Sequence, residues 1–360
     1  AATFNPTRYR EGMSLELQVY SPNLPSRVTV TISKVLSMTM SVVLDVTIQS
    51  RHGPPAHRVL KLYDRRFGSG LRGVYKDSVA PHTQQTEAAF EAFVRRGMMP
   101  GFLRQLKERK EIETLPVRAR EFLDPDEEPN HTEGLAKYEA ALWQDCIEHF
   151  ECETKAYHRL ADIQGTLVPR LHAHVRLSAT KPAAIPKEAA PYFEVRGILL
   201  ERIDGYCLEN LSLGPPLPQN LRTWHHIIQL AADAAHEINK RGIIMQDCAP
   251  RNVVVDRKSQ TPRIVDLAQC WFRDVLVDRW YKAGWHEDEG WDPDVEYWEQ
   301  ANTTDNPGAI AAVMATIIRQ KTCVKLEFRY PDWDGIIAKI RRKKEEAAAV
   351  EQKPPRRQGR

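Results

Sequence analysis

Apolar and polar positions alternate in two early stretches, Arg27–Leu36 and Met40–Ile48, and β-branched residues dominate both. The pattern predicts a β-hairpin. A third extended stretch, His57–Asp64, sets Val59, Lys61 and Tyr63 against Leu60 and Leu62. The period then changes. In Leu135–Ile163, Tyr138, Leu142, Ile147, Phe150, Tyr157 and Leu160 recur near helical spacing, which predicts one long helix. Val168–Leu177 and Phe193–Ile203 read as strands, and Trp224–Arg241 as an amphipathic helix ended by Gly242. Short strands follow at Val253–Val255 and at Ile264–Asp266, and a helix over Pro307–Gln320 precedes a last one from Trp333. Residues 64–134 are the least regular part. Weaker helical patterns cover Thr86–Arg96 and Phe102–Glu111, and an acidic, Pro-rich run covers Asp124–Pro129. This segment reads as an insertion, and connections of that length are functional or disordered.

Composition narrows the class. With 42% hydrophobic and 28% charged residues, the chain has enough apolar matter for a buried core. No apolar run reaches membrane-spanning length, and the first residues lack the pattern of a secretion signal. Six scattered cysteines without a C-x-x-C pair argue against a disulfide framework or a zinc site. The expected location is intracellular, cytoplasmic or nuclear. Net charge is +3, but residues 341–360 hold eight Lys/Arg against three Glu, so the rest is slightly acidic. Nucleic-acid binding by the folded body is therefore not expected, nor is membrane binding. The basic end reads as a solvated, disordered tail.

Chemistry gathers in Gly242–Asp256. Asp247 and Asn252 stand five residues apart in a polar loop between an apolar helix and a β-branched strand. A second acid, Asp266, ends the next strand. Two carboxylates and an amide can hold Mg²⁺ against a nucleotide while one carboxylate orients an attacking hydroxyl. Lys61, inside an apolar strand, is either an edge lysine reaching for water or a buried cation that needs an anion. Glu153 on the long helix is the nominated partner, with Glu151 as the fallback. His172 and His174 share a strand face, but no third ligand is evident, so exposure is expected.

Taken in order, hairpin, Lys strand, Glu helix, strand, apolar helix, Asp-x4-Asn and Asp strand resemble the protein-kinase-like superfamily. Val-Leu-Lys61 is similar to its Val-Ala-Ile-Lys strand, Asp247…Asn252 to its catalytic loop, and Asp266 to the acid of its metal segment. The stretch Tyr63–Phe67 resembles kinase-like proteins of fungal genomes. Residues 27–63 and 135–270 carry the likeness. It implies an α+β, bilobal fold: a β-rich N-terminal lobe over 1–203 with an insertion at 64–134, a mainly helical catalytic lobe over 204–340, and the tail. It also implies ATP and Mg²⁺ as cofactors. Asp247 would be the base, Asn252 and Asp266 the metal ligands, and Lys61 the phosphate-binding cation oriented by Glu153. Leu200, Glu201 and Ile203 would border the adenine.

The sequence departs from that family at several points. The hairpin connection Ser37–Ser41 has no glycine, Leu267-Ala268 stands for Phe-Gly, and Gln246 removes the arginine that would dock a phosphorylated loop. Met245 replaces a bracing histidine and cannot hydrogen-bond, which predicts a looser loop. The implied function is transfer of a γ-phosphate to a hydroxyl of a protein or a small molecule, the latter as in aminoglycoside and choline kinases. The alternative is a pseudokinase acting as a nucleotide-binding or interaction module.

Overall fold

A computed structural model describes residues 9–21, 24–49, 53–73, 79–112, 117–123, 132–178, 186–213 and 220–351. Two compact units divide the chain: residues 1–155 with 170–202, and residues 156–169 with 203–360. The chain passes from the first unit to the second between residues 202 and 203. The end of the long helix and the turn after it, however, join the second unit. The first unit is β-rich and the second mainly helical.

In the first unit, β1 (Ser14–Tyr20), β2 (Arg27–Met38), β3 (Val42–Ile48), β4 (Ala56–Tyr63), β5 (Leu171–Ser178) and β6 (Glu194–Glu201) close into an antiparallel barrel ordered β1-β2-β3-β4-β6-β5. β1 falls in a stretch whose alternation, Leu15, Leu17 and Val19 buried between exposed neighbours, was not read as a strand. Inward residues Leu17, Val30, Ile32, Val42, Leu44, Leu60, Leu62, Val175 and Leu199 fill the barrel. Side chains alternate across a strand, so on β4 Leu60 and Leu62 face this core while Lys61 and Tyr63 face the helix α3. At Gly197 the backbones come unusually close: a Cβ there would stand 2.5 Å from the Lys61 carbonyl oxygen. Only glycine lets β6 run beside β4 at this point.

Outside the barrel, the insertion forms α1 (Gln84–Arg95) and α2 (Met99–Ile112), and α3 spans Thr132–Arg159. The acidic run 124–129 lies outside the described residues. Thr83 caps α1 by accepting from the Thr86 N–H, with Thr86 returning the bond. The segment is held by ions rather than by apolar contact alone. Arg65 bonds Glu139 at 2.5 Å and Glu87 at 2.6 Å, Arg72 bonds Glu139 at 2.7 Å, and His82 bonds Glu87 at 2.7 Å. Burial opposes the charge on Glu87, yet Arg65 and His82 outweigh it and hold the carboxyl down at about 2. Asp64, sealed between Arg66 and Tyr9, is likewise held far below the usual carboxylate range against the push of burial.

In the second unit, α4 (Leu221–Lys240) buries Ile227, Ile228, Ala231, Ala234, Ala235 and Ile238. Gly242, at a φ of 74°, turns the chain from α4 into β8 (Ile243–Met245); the other short strands are β7 (Gly205–Cys207), β9 (Val253–Asp256), β10 (Pro262–Ile264) and β11 (Cys270–Phe272). β9 pairs with β7 and β10, and β8 with β11. Then come α5 (Arg273–Lys282), α6 (Pro293–Thr304), α7 (Asn306–Thr322) and α8 (Trp333–Glu351). α8 carries Arg341 onto Glu299 at 3.0 Å, so the first half of the expected tail is helical, and residues 352–360 lie outside the described residues. No helix among the described residues is long and apolar enough to cross a membrane.

Candidate functional site

The candidate residues form two clusters, one in each unit. In the first unit, β4 presents Lys61 to α3, and its ammonium stands 2.6 Å from Glu153 Oε2. Lys61 is 5% exposed and Glu153 is sealed from solvent. The alternating strand places Lys61 away from the barrel core, and the helical period brings Glu153 round to meet it. Glu151, two residues earlier, points elsewhere: it is 63% exposed and pairs with Arg196 at 3.3 Å. Tyr63 also donates its hydroxyl to Glu153 Oε2, a contact the sequence reading missed although the i, i+2 spacing from Lys61 sets both on one face.

Leu200 is buried in β6, opposite Val59 of β4 and Leu171 of β5. The Glu201 N–H donates to the Arg170 carbonyl at 2.8 Å. That donor is therefore already committed. Ile203, half-buried, begins the second unit. His172 and His174, expected to be exposed, are half-buried, and His174 packs edge-on against Phe150.

In the second unit, the loop after β8 holds Asp247 and Asn252. Asn252 Nδ2 donates to the Asp247 carbonyl at 2.8 Å and to Asp247 Oδ2 at 3.1 Å. Both partners are acceptors, so the amide nitrogen faces inward and the amide oxygen is left for a cation. The Asn252 carbonyl in turn accepts from the Val265 N–H at 2.9 Å, which extends the β9–β10 ladder by one pair. Asp266 therefore leaves the hairpin beside Asn252. It is exposed, with φ at 63°. Left-handed backbone at a non-glycine residue is a strained state that concentrates at functional sites. Leu267 and Ala268 next to it are buried.

Two features were not foreseen. Arg251, on the single turn Pro250–Asn252, forms an ion pair with Asp247 Oδ1, so the candidate base already carries a cation. Asn306, at the start of α7 and 1% exposed, clamps Met245 on both sides. It accepts from the Met245 N–H at 2.9 Å and donates to the Met245 carbonyl at 2.7 Å. It also accepts from Asn239 Nδ2 at 2.9 Å. The looser loop expected from Met245 is corrected: the brace is an amide from another helix acting on the backbone, not a side chain at position 245. Beside it the Cys248 thiol is pushed up to about 12 by burial and by the nearby Asp247 and Asp305, which makes it inert.

Among the described residues no cluster of three His, Cys, Asp or Glu side chains could hold a metal by itself. Mg²⁺ does not need one, because it takes one or two protein oxygens and completes its shell with water and phosphate. The Asn252 amide oxygen and the Asp266 carboxylate fit that donor set.

No protein-family model and no curated protein matches this chain. Among solved structures it is similar to the PknI kinase domain of Mycobacterium tuberculosis. A mutant form and another crystal structure of that domain each show 12% identity and a TM-score of 0.29. The match covers 67% of this chain and 60% or 58% of the other, so the chain spans under two thirds of that domain's length. A likeness at this level decides nothing about the chemistry, which rests on the residues above.

Proposed function

We propose that this chain is an ATP- and Mg²⁺-dependent phosphotransferase of protein-kinase-like design. The observation that carries the reading is the Lys61–Glu153 pair, 2.6 Å apart and closed off from water. A buried ion pair is a poor device for stability alone. It is a good device for keeping an ammonium fixed where an anion will arrive.

In this reading Lys61 binds the α- and β-phosphates and Glu153 fixes its direction. Asn252 and Asp266 hold Mg²⁺, which when bound neutralises charge on the phosphates. Leu200 and the backbone at Glu201 and Ile203 border the adenine. Asp247 accepts the proton of the acceptor hydroxyl as that oxygen attacks the γ-phosphorus and the bond to the β-phosphate oxygen breaks. Arg251 rests on Asp247 through an ion pair. The acceptor is a hydroxyl of a protein or small molecule.

One observation favours the pseudokinase reading: the Arg251–Asp247 ion pair occupies the base. Melting with ATP and Mg²⁺, followed by ATP-consumption assays across hydroxyl acceptors, separates the two. A ligand at a hundred times its dissociation constant stabilises by about 2.7 kcal/mol. Stabilisation with turnover supports the enzyme, stabilisation without turnover a nucleotide-binding pseudokinase, and no stabilisation rejects the enzyme and leaves only the interaction-module form of the alternative.

A further inference from the structure

Tyr63 follows Lys61 by two residues on β4 and shares its face. Its hydroxyl donates to Glu153 Oε2, the same oxygen that receives the Lys61 ammonium. The ring is 3% exposed and packs edge-on against Phe150 of α3, with centroids 5.8 Å apart. Phe150 and Glu153 lie one helical turn apart on the same side of α3. One therefore steers the ring while the other takes its hydroxyl. The Lys61 ammonium stands 5.6 Å from the ring centre, within range of a cation–π contact.

This geometry answers a problem that a lone Lys–Glu pair would face. A lysine that binds phosphate has to turn its charge toward the ligand. Each time it does so, a carboxylate sealed from water loses part of its compensation, which is unfavourable. A second donor on the same oxygen reduces that penalty. A phenol suits the task because it is neutral and does not compete for the phosphate, while its bond to a carboxylate is charge-assisted and strong.

We propose that Tyr63 is a positioning residue for Lys61: it holds Glu153 in place and lets Lys61 turn to a nucleotide phosphate without stranding a buried charge. The proposal rests on the phosphotransferase reading above and adds a residue to it. The test is a double-mutant cycle on the full chain. MgATP dissociation constants are measured by calorimetry for the parent, Tyr63→Phe, Glu153→Gln and the double variant. Phenylalanine keeps the ring contact with Phe150, and melting of the apo proteins checks the fold. If the Phe variant melts below the assay temperature, the whole cycle is run with trimethylamine N-oxide, which favours the folded state. Tyr63→Phe is expected to weaken MgATP by about tenfold, and to change it less than about twofold once Glu153 is Gln. An unchanged constant in Tyr63→Phe, or an equal loss in both backgrounds, overturns the positioning role and leaves the phosphotransferase reading standing. A parent that does not bind MgATP overturns both.

Discussion

Glu139 and Glu153 stand on one face of α3, about four turns apart, and both are sealed from solvent. Each receives cations from one short stretch of chain: Glu153 from Lys61, Glu139 from Arg65 and Arg72. The helix thus fixes the candidate phosphate lysine and the root of the insertion by the same means. Breaking either contact leaves a carboxylate buried without its cation.

Lys61→Met follows directly. The loss of charge is not mild, because Glu153 stays behind with only part of its compensation. The variant is expected to lose about 3–5 kcal/mol of stability and nearly all MgATP binding. Urea denaturation and calorimetry on the same samples read the two effects. Unimpaired MgATP binding would return Lys61 to a purely structural role.

At Asp266 folding and metal binding can be separated. The residue has left-handed backbone, which glycine adopts freely. Asp266→Gly is expected to keep stability within about 1 kcal/mol of the parent, yet to make nucleotide affinity the same with Mg²⁺ and with chelator. Asn252→Ala is expected to weaken the Mg²⁺ dependence rather than abolish it. A Mg²⁺ effect that survives in Asp266→Gly removes this residue from the metal assignment.

Asn306→Ala tests the brace. It leaves the Met245 N–H and carbonyl without their amide partner in the interior, each worth about 1–3 kcal/mol. A drop of that size in urea stability, with faster amide exchange at Met245, is expected. Asn306→Asp, which keeps the acceptor but not the donor, should fall between the parent and Ala.

Glu87 gives the insertion a pH signature. Its carboxyl titrates at about 2 when folded against an ordinary 4.5. A lowered folded value means stability that is full above pH 4.5 and lost as pH falls toward 2. The shift corresponds to about 3 kcal/mol. Glu87→Gln should cost that much at pH 7, and the gap to the parent should close through this window. A gap that is independent of pH would show the loss to be packing, not charge.

Asp247→Asn tests the chemical step. It keeps the shape and most hydrogen bonds of the loop but cannot take a proton. MgATP should still raise the melting temperature, while ATP consumption with an acceptor falls by about a hundred- to ten-thousand-fold. Equal turnover in parent and variant would exclude Asp247 as the base.

Much of this site was legible because its signals are local. Period-2 alternation placed Lys61 on a strand, and helical spacing placed Glu153 rather than Glu151 within its reach. The loop Asp247–Asn252 read as polar between two apolar elements. What stayed hidden depends on partners distant in sequence. Tyr63 meets Glu153 across 90 positions, and Asn306 meets Met245 across 61. Nothing near Asn306 marks it as a brace, and an asparagine before Pro307 reads only as the start of a helix. The insertion was illegible for a related reason: Arg65, Arg72, His82, Glu87 and Glu139 look solvated one by one, and become an interior network only when folded together. α5 and α6 were missed because tryptophans there blur the helical period.

Closure of the six-stranded barrel bears on how the first unit comes apart. An open sheet can fray from its outermost strand, whose outer hydrogen bonds are unpaired. A ring has no such strand. Opening it anywhere requires a whole ladder to part at once, so β4, flanked by β3 and β6, has no partial route to solvent. Amides at Leu60 to Leu62 should therefore exchange only through opening of the entire unit, which makes them the slowest clock in that half of the molecule.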